Sequence, residues 1–449
     1  MAKIKNIQPA QVREVLGKHL LTDGFDMVLD LEESKGAYLH DSKSGKKYLD
    51  FFTFFASNPL GMNHPKIAGD ADFVSLLGKT AINKPSNSDV YTEELAGFMS
   101  SFSRVAVPEH LPHSFFISGG ALAVENAMKV AFDWKVQKNF QKGYRHEIGH
   151  KVLHFEKAFH GRSGYTLSVT NTVPNKVKYF PKFDWPRVIS PATSFPETPE
   201  SLKSVIAEEK LAIAQAERFF EIHKDDIACI LIEPIQGEGG DRHFRVEFHQ
   251  ALRDLADKHE ALLIYDEVQT GVGMTGKFWA HEHYVKPDIL SFGKKAQVCG
   301  ILAGPRVDEV ETNCFQVSSR INSTWGGNLV DMVRFGRILD IIEEDNLVAN
   351  AAKVGDHLLS KLQKMADDHE HLSNPRGKGL FAAIDLPDSH SRDAVISQCI
   401  ENGLMILACG TNTVRFRPPL TITSEQIDEG LDILEKAYKS SLDKCPIAG

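Results

Sequence analysis

ACILIEPIQGEGG (228–240) and ALLIYDEVQTGVGMTG (261–276) decide the fold. Each opens as a near-continuous apolar run and closes on acidic residues and glycines. Runs of that kind, 228–235 and 261–268, are expected of strands buried on both faces. The residues between them, 246–259, have helical spacing, and so do 121–138 and 198–222. Strands alternating with amphipathic helices imply an α/β fold with a mainly parallel sheet, whose ligands bind beyond the carboxyl ends of the strands. Farther out the texture differs. Residues 36–50 read as two short strands around a polar Ser-Gly turn. A helical stretch at 329–368 precedes strand-like pieces at 379–385 and 413–416, then a final helix near 424–440.

The chain has 449 residues, beyond the roughly 250–300 at which one core stops growing, so more than one domain is expected. We divide it into an N-terminal segment (1–60) packed beside the last part, a large domain (61–330) and a smaller α+β domain (331–449). The 42% hydrophobic and 25% charged residues exclude disordered and fibrous classes. A net charge of -9 argues against nucleic acid as a partner. No stretch has 18 consecutive apolar residues and no signal-peptide pattern opens the chain, so no membrane partner and a cytoplasmic location are expected. The six cysteines (Cys229, Cys299, Cys314, Cys399, Cys409, Cys445) show no metal-binding spacing.

The chemistry starts at DILSFGKK (288–295), where a short apolar strand ends in a lysine pair. Burial there lowers an amine's pKa and suits it to a carbonyl cofactor such as pyridoxal phosphate. Asp266 and Glu267 stand at the end of a strand too apolar for surface carboxylates. One of them can face a protonated pyridine nitrogen, and one can serve as a helix cap. The nearby His281-Glu282-His283 is expected at the surface rather than on a metal. FISGGALAVENAMK (116–129) is a strand, a glycine turn and a helix, a setting in which backbone N–H groups cradle phosphate.

Taken together and in order, several motifs resemble the class III aminotransferases. They are the D-E-V-Q-T-G segment, the lysine after Phe292-Gly293, Phe159-His160-Gly161-Arg162, and Asn322-Ser323-Thr324-Trp325-Gly326-Gly327-Asn328. The resemblance covers nearly the whole chain. It implies a fold-type I pyridoxal-phosphate enzyme, with a mainly parallel seven-stranded sheet in the large domain. AINKPSNSDVY (81–91), GGALAVENA (119–127), FPKFDWPR (180–187) and GKKAQVCG (293–300) resemble most the bacterial branch acting on the ε-amine of L-lysine, with 2-oxoglutarate as acceptor. Ornithine, 4-aminobutyrate and other ω-amino acids remain alternatives. Racemase or decarboxylase chemistry and a regulatory cofactor-binding role fit the same residues less well.

Site roles follow from the resemblance alone. Lys294, not Lys295, is implied as the Schiff-base lysine, and Asp266 as the pyridinium partner. Val268 and Phe159 are implied on the two ring faces, Gln269 near the 3′-oxygen, and Gly120 and Ala121 at the phosphate. Leu122 departs from the glutamate of many relatives, at a turn where backbone amides do the binding. Thr324 is implied to reach the phosphate in the other subunit of a homodimer, and Asn322 to border the substrate. Arg162 is implied to bind a distal carboxylate and Arg415 an α-carboxylate. Arg415 and Arg417 share a strand face, so spacing cannot choose between them. Glu238 is implied to cover Arg415 when an ω-amine is bound and to move aside for 2-oxoglutarate, with permissive glycines around it. Phe55 is expected to border the substrate's aliphatic chain, with a buried place in the core as the alternative.

Overall fold

A computed structural model describes residues 7–444, with side chains through residue 441; the expectation for Cys445 lies outside them. The strands are β1 (Tyr38–His40), β2 (Lys47–Asp50), β3 (His113–Ile117), β4 (Lys151–Phe155), β5 (Arg187–Val188), β6 (Ile227–Ile232) and β7 (Leu262–Asp266), followed by β8 (Ile289–Phe292), β9 (Cys299–Ala303), β10 (Ser373–Lys378), β11 (Phe381–Asp385), β12 (Leu404–Met405), β13 (Leu407–Cys409) and β14 (Thr413–Phe416).

A seven-stranded sheet runs in the order β3-β9-β8-β7-β6-β4-β5. Its neighbours from β8 to β5 are parallel, while β9 is antiparallel to both β8 and β3. Every residue of β6 and β7 is buried, as their unbroken apolar runs require. Helix Gly120–Gln141 covers one face through Val124, Met128 and Trp134. Helices Pro199–Ile222 and Val246–Lys258 cover the other through Phe220, Phe248 and Leu252. The carboxyl ends of β6, β7 and β8 therefore open side by side.

Two further sheets frame that opening. β10-β11-β14-β13 is antiparallel throughout. β1-β2-β12 joins the N-terminal hairpin to a distant segment, Leu49 pairing with Leu404. The stretch 329–368 is not one helix but two, Leu329–Glu344 and Leu347–Asp368. Asn346, at φ 52°, turns the chain between them; left-handed backbone is a conformation asparagine tolerates and a helix cannot propagate.

Thr53, Phe54, Phe55 and Ala56 also have positive φ, between 41° and 63°. Left-handed turns in residues with a Cβ cost roughly 1–2 kcal/mol each, so this one must be held from outside. The Asp50 carboxylate accepts from the Phe52 and Thr53 N–H groups, and the Thr53 hydroxyl donates to the Arg417 carbonyl at 2.7 Å. Lys295 Nζ lies 3.4 Å from the Ala56 carbonyl and Gln297 donates to Ser57. Phe55 ends up 51% exposed, not in the core.

Among the described residues, no helix is long and apolar enough to cross a membrane. No group of three metal-ligating side chains occurs there either.

Candidate active site

A cavity of about 270 Å³ lies at the carboxyl end of the large sheet. It is lined by Gly120, Ala121, Phe159, Glu238, Asp266, Val268, Gln269 and Lys294, together with His160, Gly161, Glu233 and Thr270. Every residue of the first group was singled out from sequence, and none of the second had been given a role.

The lysine pair is divided by burial. Lys294 opens onto the cavity, while Lys295 is 1% exposed and donates to the Gln269 carbonyl at 2.5 Å. Burial lowers the Lys294 amine to about 8, Arg415's charge adding to the effect while Asp266 and Glu233 oppose it. Burial also drives Lys295 well below the ordinary lysine range, with Lys294's charge second. Lys294 has φ 48°, a left-handed conformation that non-glycine residues hold only under outside constraint.

The two acids at the end of β7 separate as cleanly. Asp266 faces the cavity, and its Oδ2 meets His160 Nδ1 at 2.8 Å. Its Oδ1 accepts from the Val268 N–H at 3.1 Å and the Ser291 hydroxyl at 3.3 Å. Glu267 turns away and caps the short helix Ala280–His283, accepting from the Ala280 and His281 N–H groups at 2.5 and 2.8 Å. His281 is consequently buried, its ring 3.1 Å from Glu267, which corrects the expectation of a surface histidine. Buried Glu233 ties two loops together by accepting from Phe159 N and Gly237 N, both at 3.0 Å. Burial pushes its carboxyl up to about 7.

Helix Gly120–Gln141 starts at the cavity wall. Its N-cap, Gly119, has φ 109° and supplies no capping side chain, so the first amides are left for an anion. Leu122, 38% exposed, takes no part in the lining.

Arg415 and Arg417 differ in what holds them. Arg417 grips Asp241 with two bonds at 2.5 and 2.9 Å, stacks 3.4 Å from the Phe381 ring and donates to Gln269 Oε1. It is a structural cation. Among the described residues Arg415 forms an ion pair only with Glu238, its NH2 lying 3.2 Å from Oε2, and its buried Nε has no partner there. Its guanidinium sits 5.9 Å from the Phe55 ring centroid. The glycines beside Glu238 give room rather than freedom. A Cβ on Gly237 would lie 2.5 Å from Gln269 Oε1, and one on Gly239 would lie 2.0 Å from the Lys157 carbonyl. Glu238 also pairs with Lys176, a residue the sequence reading passed over. Arg162, Asn322, Thr324 and Phe55 are exposed and, like the buried Arg415, lie outside the cavity lining.

The family model "Aminotransferase class-III" matches residues 22–438. The chain belongs to the class III aminotransferases. It is 51% identical over 431 residues to an L-lysine-epsilon aminotransferase of Mycobacterium tuberculosis, spanning 96% of this chain and 95% of that one. To the protein of the same name from Amycolatopsis lactamdurans it is 50% identical over 432 residues, covering 96% of each. The solved structure of lysine aminotransferase from M. tuberculosis superposes with a TM-score of 0.95 at 50% identity, covering 97% of this chain and all of that one.

Class III aminotransferases use pyridoxal phosphate, and the cavity suits it. The uncapped helix N-terminus offers amides to a phosphate, Lys294 presents an amine, and Asp266 presents a carboxylate fixed on both oxygens. His160 lines the same cavity, and its buried Nε2 has no partner among the described residues, a polar group left unsatisfied beside the site.

Proposed function

We propose that this aminotransferase moves the ε-amino group of L-lysine to 2-oxoglutarate, forming 2-aminoadipate 6-semialdehyde and L-glutamate. The observation that carries the reading is Arg415, a buried cation whose only ion-pair partner among the described residues is Glu238, a side chain that lines the cavity. An enzyme serving a single carboxylate substrate would leave such an arginine uncovered. One that accepts a terminal amine in one half-reaction and a dicarboxylate in the other needs it covered, then open. The choice of lysine among ω-amines rests on the two half-identical relatives.

The side chains divide the work. Pyridoxal phosphate, when bound, supplies the carbonyl that Lys294 holds and the electron sink that makes the substrate's ε-hydrogen acidic. Lys294 Nζ, lowered by burial to about 8, is close enough to neutrality to take the proton from the ε-carbon. Asp266 would pair with the pyridinium nitrogen, and His160 keeps its carboxylate from rotating. Gly120 and Ala121 would hold the phosphate, Val268 and Phe159 would flank the ring, and Gln269 would serve the 3′-oxygen. Arg417 occupies the Gln269 acceptor, which leaves its amide NH2 for that contact. Glu238 neutralises Arg415 while lysine is bound, and Arg415 takes a carboxylate of 2-oxoglutarate once Glu238 yields. Arg162 is assigned to the distal carboxylate, and Asn322 and Phe55 to the substrate channel. Exposed Thr324 is assigned to the phosphate of a second subunit, so the working form is a homodimer, acting in the cytoplasm.

The test is a comparison of kcat/KM for lysine, ornithine and 4-aminobutyrate with 2-oxoglutarate as acceptor. Lysine is expected to lead, and Phe55→Ala to narrow its lead. Faster turnover of ornithine or 4-aminobutyrate would overturn the assignment.

A further inference from the structure

Glu238 does not stand between one arginine and open space. Its Oε2 meets Arg415, and its Oε1 forms a short contact with Lys176 Nζ. Lys176 closes the 3₁₀ turn Pro174–Lys176, in a loop outside the strands. Its Nζ lies 5.3 Å from the centroid of the Phe159 ring, which lines the cavity. Both side chains of the pair are about three-quarters covered, at 20% and 24% exposure, so the contact is shielded more than a surface ion pair.

Charge counting gives this arrangement a purpose. With lysine bound by its terminal amine, Glu238 alone balances Arg415. When a dicarboxylate enters, two anions must share the corner: the substrate carboxylate on Arg415 and the displaced Glu238. One arginine cannot satisfy both, and a half-buried carboxylate stranded without a cation is costly. Lys176 supplies the second cation, at a position Glu238 already touches.

We propose that Lys176 is a positioning residue for the substrate switch: it receives the Glu238 carboxylate when Arg415 turns to the carboxylate of a 2-oxoacid or amino-acid substrate. Lys176 thereby favours the dicarboxylate half-reaction without touching the substrate. The proposal rests on the reading of Glu238 and Arg415 as a switch.

The test uses the holoenzyme and two readouts. One is calorimetric binding of glutarate, an unreactive dicarboxylate. The other is the separate KM values for lysine and 2-oxoglutarate. Lys176→Met is expected to weaken glutarate on the order of tenfold and to raise the KM for 2-oxoglutarate in parallel, with the lysine KM little changed. Lys176→Arg should restore both. In a Glu238→Ala background, Lys176→Met should have no further effect, because nothing remains for the ammonium to receive.

Equal weakening of lysine and glutarate, or no change in either, would overturn the proposal. An undiminished loss of glutarate binding in the Glu238→Ala background would also overturn it, since Lys176 would then be contacting the dicarboxylate itself. Glu238→Ala alone guards the reading beneath: it should favour glutarate over lysine. If that balance does not move, the switch itself fails. If it moves and Lys176→Met does nothing, only the role of Lys176 fails.

Discussion

Lys294→Ala is expected to lower transamination by about ten-thousand-fold or more, because under the proposed mechanism one substitution removes the covalent anchor and the proton-transfer base together. The purified variant should also lose the visible absorbance of lysine-bound cofactor. Lys295→Met is the contrast. Lys295 lies fully buried one residue away, and its Nζ is committed to the Gln269 and Ala56 carbonyls. Removing it leaves those carbonyls short of a donor, a cost of about 1–3 kcal/mol in stability. The colour should persist. A colourless Lys295→Met with a coloured Lys294→Ala would reverse the assignment. The pH dependence of cofactor capture by the cofactor-free enzyme supplies a second check. Capture needs the neutral amine, and burial places Lys294 at about 8. The capture rate should therefore rise with pH and level off above about 8. A rate still climbing past pH 10 would mean that an ordinary, solvated lysine is responsible.

Asp266→Asn is expected to cost about a thousandfold in rate while cofactor still binds. The substitution keeps the size of the side chain but removes the charge that would stabilise a protonated ring nitrogen, and a preorganised charge at a reacting site contributes on that scale. The fixed geometry makes the loss hard to repair. Both Asp266 oxygens are already engaged, by His160 on one side and by Val268 N–H and Ser291 on the other. The adjacent Glu267 should behave in the opposite way. Its carboxylate caps the turn at Ala280 and His281, so Glu267→Gln should lower the melting temperature and leave the rate of the surviving folded enzyme near that of the parent. Comparable rate losses for the two substitutions would contradict the separation of their roles.

The fold and much of the site were legible because they rest on local signals. The unbroken apolar runs of β6 and β7 announce a sheet covered on both faces, and the acids that close them line the cavity at its carboxyl end. The turn at the cavity wall was visible as glycines opening a helix. What escaped was set by contacts distant in the chain. No pattern distinguishes Arg415 from Arg417, since the decision belongs to Asp241, about 175 residues upstream of both, which captures Arg417. Nor does Lys176 carry a motif; it matters only because its loop folds back onto Glu238. His281 looked exposed because its neighbours are polar, yet the Glu267 cap draws it inside. The left-handed turn at 53–56 was hidden for a related reason: FFTFFAS contains no glycine, and its conformation is imposed by Asp50, Arg417, Lys295 and Gln297. The helix break at Asn346 is the one miss that a local residue preference, asparagine in left-handed backbone, points to.

The regiochemistry of nitrogen transfer tests the central claim most directly. Two samples of L-lysine, one labelled with heavy nitrogen at the ε-position and one at the α-position, would each be incubated with the holoenzyme and unlabelled 2-oxoglutarate. The glutamate formed would then be analysed by mass. If the Lys294 cavity takes lysine by its terminal amine, with Glu238 covering Arg415, the ε-label appears in glutamate and the α-label does not. Glutamate labelled from the α-position, or no glutamate from lysine at all, would contradict the account.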